Sequence, residues 1–247
     1  MKKMALMVCL VLCLALPSTS FALLGVLDFE AAVGAWYSAP SGDLMYNNSS
    51  NTKYDLEDAF GFEEETAVSG RVKVDLPIIP VIYVMATPLE FKGNVNGTIE
   101  FNDQTFSANE DTRLKFDQYD LALYYGVPFL GLATLGTVHI NGGINVRVID
   151  VEGEVGTESM DMTIPLPMLY LSADISPIDA FSIEAEVRGL SVGYGSMISA
   201  IARLRLNTIG PFFVTAGYRY EDMSIDKDDF EADITLSGPF AELGFAF

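Results

Sequence analysis

The chain is 247 residues long, and its 14 basic and 34 acidic residues give a net charge of −20 at pH 7. This charge excludes nucleic-acid binding by neutralisation of phosphates, because such binding needs a basic surface. Half of the residues are nevertheless hydrophobic and the mean hydropathy is positive, at +0.29. The composition therefore predicts that apolar and acidic residues occupy different parts of the structure.

The first 22 residues have the pattern of a secretory signal peptide. Lys2 and Lys3 precede an apolar run over 4–16, Pro17 breaks that run, and Ser-Phe-Ala at 20–22 places small residues at the −3 and −1 positions of a cleavage site. The run is shorter than the about 20 residues that a membrane-spanning helix needs. An uncleaved anchor or a buried helix is the alternative interpretation.

Both cysteines, Cys9 and Cys13, lie in this segment. Cleavage would leave a chain without disulfides, thiol catalysis or cysteine-ligated metals. Lipid modification of Cys13 is the competing interpretation, but the bulky Leu12 before it is untypical of a lipoprotein signal. The mature chain, 23–247, carries twelve basic and 34 acidic residues, a net charge of −22, and is predicted to form one domain.

Beyond the signal peptide, apolar and polar residues alternate with a period of two, which is typical of β-strands. In one stretch Ile198, Ala202 and Leu204 share one face, while Arg203 and Arg205 share the other. Such segments are about ten residues long, the length of a tilted membrane strand. We predict ten strands, with eight as the alternative count: 28–37, 67–76, 81–92, 115–125, 137–149, 167–176, 180–189, 197–206, 212–221 and 239–247. The third is the weakest prediction, because Pro88 lies within it.

The predicted connections differ in length. Three are short turns, at 77–80, 177–179 and 207–211; four are long, at 38–66, 93–114, 150–166 and 222–238; two, at 126–136 and 190–196, are intermediate. Acidic residues concentrate in the long connections. Short turns at one end and long loops at the other are typical of outer-membrane barrels. If the N-terminus starts in the periplasm, the acidic loops lie outside the cell.

A soluble β-sandwich also alternates, but the charges on the predicted strands favour a closed membrane barrel. Their polar faces carry both signs, and opposite charges that face a narrow lumen can pair, which lowers the cost of removing them from water. We predict a charge network in the lumen from ten residues: Arg71, Lys73, Asp75, Arg147, Glu184, Glu186, Arg188, Arg203, Arg205 and Arg219. Aromatic residues near strand ends, such as Trp36 and Tyr125, suit the interfacial girdles of a barrel.

The C-terminal strand also favours the barrel. Leu243, Phe245 and Phe247 share one face, and the chain ends in Phe. This pattern resembles the terminal strand that the bacterial insertion machinery recognises in outer-membrane barrels. In a sandwich it would form a hydrophobic edge that invites aggregation. The predicted fold is therefore all-β, a transmembrane antiparallel up-and-down barrel.

The signal peptide, the acidic loops, the terminal Phe and Asn-Gly-Gly-Ile-Asn at 141–145 make the chain resemble an uncharacterised family of outer-membrane β-barrel proteins named for a Gly-Gly feature. More distantly, it is similar to small barrels of the OmpA and OmpW types. The resemblance covers the whole mature chain through diffuse motifs. It implies an outer-membrane location and a barrel fold, and it supplies no catalytic residues.

Three segments invite more specific hypotheses. His139, the one histidine, is predicted to face inward near the periplasmic end, either as a hydrolase base or as a hydrogen-bonded lumen residue. The carboxylates at 226–233 suggest calcium, but the EF-hand glycine and final Glu are missing, which favours a solvated loop tip. Weak divalent binding that bridges the acidic loops to lipopolysaccharide stays open. Residues 54–62 are expected to form one or two helical turns capped by Asp55, over the barrel mouth or against its rim.

The sequence thus favours a non-enzymatic integral outer-membrane protein without metal or cofactor. Its charged lumen would be largely filled by side chains, and its acidic loops would serve envelope structure or surface interactions. A narrow pore or conduit for small solutes, including apolar ones, is the alternative, and a hydrolase that uses His139 is the third hypothesis. Expected partners are outer-membrane lipids, lipopolysaccharide and the insertion machinery during biogenesis.

Overall fold

The computed structural model describes residues 27–47, 52–192, 195–227 and 230–247. The predicted signal peptide, with both cysteines, lies outside the described residues, as does part of the acidic segment 226–233. The secondary-structure elements are β1 (Asp28–Tyr46), β2 (Tyr54–Asp55), β3 (Glu65–Asp75), β4 (Val81–Thr87), β5 (Glu90–Asn94), β6 (Thr98–Phe101), β7 (Gln104–Ser107), β8 (Asp111–Gly126), α1 (Leu130–Ala133), β9 (Val138–Val155), β10 (Glu158–Ile178), β11 (Phe181–Val192), β12 (Gly195–Asn207), β13 (Phe212–Lys227) and β14 (Phe230–Ala246). No helix within the described ranges is long and apolar enough to cross a membrane.

These strands form a closed antiparallel barrel with ten strand positions. The order around the barrel is β1, β3, β4, β8, β9, β10, β11, β12, β13 and β14, and β14 pairs with β1. At the closure, the Phe29 amide donates to the Phe247 carbonyl (2.8 Å) and the Phe247 amide donates to the Phe29 carbonyl (3.0 Å). The predicted fold class and the count of ten strands are confirmed.

The third predicted strand is interrupted at the position that its proline indicated. β4 ends at Thr87, Pro88 and Leu89 are not in a strand, and β5 starts at Glu90; β4 and β5 both pair with β8. Proline has no amide hydrogen to donate to a strand ladder, which explains why the strand is interrupted at this position. Together β4 and β5 occupy one position in the barrel.

The two ends of the barrel differ. The turn end carries the connections 76–80, 127–137, 179–180 and 208–211, together with the C-terminus. We call the opposite end the extended end. It carries the hairpins of long strands, such as β9–β10 and β13–β14, and a separate hairpin of β6 and β7.

The prediction of long loops at 150–166 and 222–238 is wrong, because most of these residues are in strands. β9 continues to Val155 and β10 begins at Glu158, while β13 continues to Lys227 and β14 begins at Phe230. Pro165 and Pro167 lie within β10, in the part that precedes Leu169, where the pairing of β10 with β11 starts. They face no strand on that side, so they disrupt no ladder there.

The polarity of the two strand faces is exchanged along the barrel wall. On β9 the outward side chains are first apolar and then acidic: Ile140, Ile144, Val146 and Val148, followed by Asp150, Glu152 and Glu154. The inward side chains change in the opposite sense: Asn141, Asn145 and Arg147, followed by Ile149, Val151 and Val155. We call the part of the barrel with apolar outward side chains, up to Val148 on β9, the turn-end zone. The part with acidic outward side chains, from Ile149 onward on β9, is the extended-end zone.

An apolar core fills the extended-end zone. Side chains from the segment after β1 fold into it, and Leu56, Phe60 and Phe62 are buried. The Asp55 carboxylate accepts hydrogen bonds from the amides of Glu57 (2.8 Å) and Asp58 (2.7 Å), as expected of a capping residue. The segment forms hydrogen-bonded turns and not an α-helix. The β6–β7 hairpin adds Ile99, Phe101 and Phe106 to the same core.

Candidate functional site

The lumen of the turn-end zone collects charges of both signs. Seven of the twelve cations beyond residue 22 face it: Arg71, Lys73, Arg147, Arg188, Arg203, Arg205 and Arg219. Six acidic residues form ion pairs with these cations: Glu30, Asp120, Glu184, Glu186, Glu221 and Glu242. The paired groups are therefore nearly balanced in charge, and most of the excess negative charge of the protein lies outside them.

Arg147 is at the centre of the first group of ion pairs. Its guanidinium contacts both oxygens of Asp120 (2.9 and 3.0 Å) and one oxygen of Glu221 (2.7 Å). Arg219 donates to the same Glu221 oxygen (2.7 Å) and to the side-chain oxygen of Gln118 (2.7 Å). All five side chains are buried, so the pairs are shielded from water and hold neighbouring and opposite walls of the barrel together.

The second group lies closer to the turn end, on β11 and β12. Arg203 donates to Glu184 (3.1 Å) and Glu186 (2.6 Å), and Arg188 donates to Glu186 (3.0 Å). The Lys73 ammonium lies 3.9 Å from Glu184 and 3.8 Å from Glu186, across the lumen from β3. Each of these two carboxylates therefore has at least two cationic neighbours.

Glu30 joins a third group beside the seam of the barrel. Arg71 and Arg205 both donate to its carboxylate, and Arg71 also donates to Glu242 (3.0 Å). The Arg205 guanidinium stacks on the Phe213 ring at 3.8 Å. Guanidinium groups pair with carboxylates and stack on aromatic rings at the same time, which suits them to a desolvated lumen.

The structure thus brings nine of the ten predicted network residues into contact with an opposite charge. Asp75 is the exception, since it is exposed at the end of β3 and no ion pair joins it to a cation within the described ranges. The ten predicted residues do not include four acidic partners: Glu30, Asp120, Glu221 and Glu242. Glu242 alternates with Leu243 and Phe245, so its parity already indicated an inward position.

A cavity of about 530 Å³ opens into the lumen at the turn end, and Glu30, Lys73, Tyr124, His139, Asp174 and Arg205 are among its lining residues. His139 faces inward there, as its alternation indicated, and its Nδ1 lies 3.8 Å from Asp174. Ser172 lines the same cavity, but its hydroxyl accepts a hydrogen bond from the Asn141 amide (3.0 Å). Among the described residues, no hydrogen bond joins Ser172 to His139.

The outer wall of the extended-end zone carries a different kind of ion pair. Arg113 contacts both oxygens of Glu90 (3.1 and 3.2 Å), and Lys92 lies 3.0 Å from Glu90. Hydrogen bonds from Arg113 and then Lys92 lower the pKa of Glu90 to about 2. Hydrogen bonds to Asp233 and Glu231 raise the pKa of Lys53. These side chains are partly exposed, and such pairs contribute little to stability.

The C-terminal residues lie at the barrel seam. Leu243 points outward from β14, and the rings of Phe245 and Phe247 pack against Phe29 with centroids 5.7 and 5.4 Å away. A role of these residues in recognition by the insertion machinery stays a prediction.

In the part of the chain that is described, no three His, Asp or Glu side chains are grouped as a metal site.

Comparison with solved structures finds outer-membrane β-barrels. The outer-membrane protease OmpT from Escherichia coli superposes with a TM-score of 0.55 at 7% identity, over 89% of this chain and 97% of OmpT. Neisserial surface protein A gives a TM-score of 0.37 at 12% identity, over 89% and 97% of the two chains. The β domain of the Bordetella autotransporter BrkA gives 0.40 at 10% identity, over 90% and 100%. The likeness to OmpT concerns the fold alone.

No protein-family model and no curated protein sequence matches the chain, so the resemblance to the Gly-Gly family stays a prediction. The structure does distinguish the two glycines. A Cβ at Gly143 would overlap the carbonyl oxygen of Leu123 and the backbone of Tyr124, whereas a Cβ at Gly142 would meet only the Leu171 side chain, at 3.6 Å. Gly143 thus permits a close approach of β9 to β8.

Proposed function

We propose that this chain is an integral outer-membrane barrel without enzymatic activity, sealed to solutes, with its turn end in the periplasm and its extended end at the cell surface. The exchange of polarity along the wall carries the proposal. On β13 the outward side chains are apolar or aromatic from Phe212 to Tyr220 and then become acidic at Asp222. That stretch has the length of a tilted membrane strand, about 9–11 residues.

Two layers of side chains, one above the other in the lumen, support the proposal that the lumen is sealed. The ion pairs around Arg147 occupy the turn-end zone, and the apolar core around Leu56 and Phe60 occupies the extended-end zone. Fully buried side chains such as Arg147 and Ile149 lie one above the other on the inner face of β9. A solute that entered the cavity at the turn end would have to displace both layers.

The geometry around His139 supports a role without hydrolysis. A hydrolase of the serine type needs the nucleophile within hydrogen-bond reach of its base. Here Ser172 is engaged by Asn141, and His139 faces Asp174 at 3.8 Å. We propose that these residues only line the mouth of the lumen, and we expect His139→Gln to leave the hydrolysis of envelope lipids and peptides unchanged.

We propose that the role of the protein depends on two outer surfaces, the apolar band of the wall and the acidic extended end. The apolar band would contact outer-membrane lipids, and the acidic extended end would be exposed to lipopolysaccharide and to extracellular partners. Lys92, Arg113 and Lys115 lie on the outer wall beyond Tyr119, where the apolar part of β8 ends. Phosphates of lipopolysaccharide could approach there with less repulsion than elsewhere on the acidic surface.

Thiol accessibility tests the seal directly, since both native cysteines lie in the predicted signal peptide. We would refold the mature chain with one cysteine, His139→Cys in the cavity or Ser199→Cys beside Arg147, and confirm folding by heat-shifted gel mobility. A charged thiol reagent is expected to modify Cys at 139 and not at 199, and the unmodified barrel is expected to be silent in a planar bilayer. Modification at 199 or discrete conductance steps would overturn the proposal.

A conduit for small solutes is the second candidate, and the cavity at the turn end favours it. The cavity has the volume of a small-molecule site and is lined by both charges and aromatic rings. Passage would require the ion pairs above it to open. Discrete conductance steps from the folded mature chain would favour this candidate over the sealed barrel.

A further inference from the structure

The turn end carries an apolar surface that neither the barrel wall nor the lumen explains. Five side chains in its connections are 79–96% exposed: Ile78, Phe129, Leu132, Leu135 and Ile209. By contrast, no large apolar side chain on the described barrel strands is more than 69% exposed. We call these five residues the apolar collar. Apolar side chains so far out of the fold indicate a surface that contacts something other than water.

The main segment of the collar, residues 126–138, forms hydrogen bonds within its own backbone. Residues 126–138 contain no charged side chain. The amide of Ala133 donates to the Phe129 carbonyl (3.0 Å), and the Thr134 hydroxyl donates to the Leu130 carbonyl (2.9 Å). This is what a lipid environment demands, because backbone groups there find no water to bind.

Three residues of the collar have a left-handed backbone conformation. Ile78, Phe129 and Leu135 have φ angles of 81°, 66° and 53°. This left-handed region is unfavourable for residues with a Cβ, and most unfavourable for a β-branched residue such as Ile78. Such strain persists where the surroundings compensate it, and it clusters at functional surfaces. Burial of the exposed apolar side chains in a medium other than water would compensate the cost of this backbone conformation.

Continuity with the lipid-facing wall identifies that medium. On β8 the outward apolar residues run only from Tyr119 to Tyr125, because Asp117 follows at one end and the strand stops at the other. These seven residues are fewer than the about 9–11 of a membrane strand. Beyond β8, the Val127 amide donates to the Ile140 carbonyl (2.8 Å), so the chain continues beside the lipid-facing part of β9.

We propose that the apolar collar inserts into the phospholipid leaflet that surrounds the turn end, and that its segment from Phe129 to Leu135 completes the lipid-facing band where the β8 wall is short. The proposal rests on the membrane location proposed above. Its partner is a lipid surface, and not a periplasmic protein or a second copy of this chain.

Quenching of a dye on single cysteines tests the proposal. The mature chain would carry Leu132→Cys in the collar, Ile144→Cys on the lipid-facing wall or Thr157→Cys at the extended end, each labelled with bimane. All three positions are exposed and away from the core, so folding is expected to be retained. The probes are phosphatidylethanolamine–phosphatidylglycerol vesicles with brominated acyl chains, and aqueous iodide.

We expect brominated lipid to quench the label at 132 by about the same factor as the label at 144, and iodide to quench only the label at 157. Quenching at 132 by iodide alone would overturn the proposal and place the collar in water. Protection from both quenchers would overturn it too, since a protein would then cover the collar. A label at 144 that brominated lipid does not quench would refute the membrane location itself.

Discussion

In the turn-end zone apolar side chains face outward and ion pairs fill the lumen, whereas in the extended-end zone acids face outward and apolar side chains fill the lumen. The same strands make both arrangements. On β9 in the turn-end zone, Ile144 faces outward and Asn145 faces the lumen. In the extended-end zone of the same strand, Asp150 faces outward and Ile149 faces the lumen. The comparison teaches that a barrel strand does not have one apolar face and one polar face; the outer medium decides which face is apolar at each level.

The physical reason differs between the zones. Where lipid surrounds the wall, apolar side chains must face outward, and the lumen tolerates buried charges because they are paired with opposite charges. Where water surrounds the wall, burial of apolar side chains favours the interior and acidic side chains remain hydrated outside. Variants placed at matched positions in the two zones test this account.

The largest effect is expected from removal of a buried cation. Arg147→Ala leaves Asp120 without its guanidinium partner and weakens the pairing of Glu221, and loss of one partner of a buried pair costs about 3–5 kcal/mol. Arg113→Ala removes an exposed pair in the extended-end zone and should cost no more than about 1 kcal/mol. Reversible urea unfolding in lipid vesicles measures both. Equal losses would show that the lumen network is hydrated and no stronger than a surface pair.

The second-largest difference between the zones is expected when a charge is introduced on the outer wall. Leu169→Arg places a cation in the lipid-facing part of β10, where the expected cost is about 2–4 kcal/mol, whereas Ser159→Arg lies on the same face near the tip of that strand and should cost less than about 1 kcal/mol. The free energy of unfolding in vesicles is again the measurement. A costly Ser159→Arg would mean that the lipid reaches further along the wall than the change of polarity indicates.

The two adjacent glycines are expected to differ by a smaller amount. Gly143→Ala forces β9 away from the Leu123 carbonyl of β8, and overpacking of this kind costs about 1–3 kcal/mol. Gly142→Ala faces open space apart from Leu171 and should be nearly neutral. Thermal shifts in heat-modifiability gels rank the variants. If both substitutions have the same effect, the close approach of β8 and β9 is not the reason for the Gly-Gly pair.

The smallest effect concerns the pH dependence of the outer ion pair at Glu90. Because its pKa is lowered from 4.5 to about 2, the pair stabilises the fold above pH 4.5 and loses this contribution as the pH falls towards 2. Glu90 is about a third exposed, so Glu90→Gln should cost at most about 1 kcal/mol at pH 7. The difference between wild type and variant should vanish near pH 2. A difference that is constant with pH would exclude this ion pair as its cause.

Most of the barrel was predictable because strand alternation is a local property. The count of ten strands and the inward position of residues such as Arg203 follow from the period of two, whereas the break at Pro88 was not predicted, although the proline made this strand the weakest prediction. The extensions of β9, β10, β13 and β14 were not predicted. At the level where polarity is exchanged, the pattern of one apolar face is interrupted, and the interruption has the appearance of a loop.

The sequence by itself determined which residues alternate, and hence the strands, the charged lumen face and the apolar C-terminal face. Only the tertiary structure decided which polar group each cation meets, since Arg71 donates to the Glu242 carboxylate and Arg219 donates to the Gln118 amide oxygen across about 100 residues or more of chain. Barrel closure and strand register create these pairs, and both depend on every strand at once. The level at which the interior becomes apolar is decided in the same way, by the medium outside each part of the closed wall.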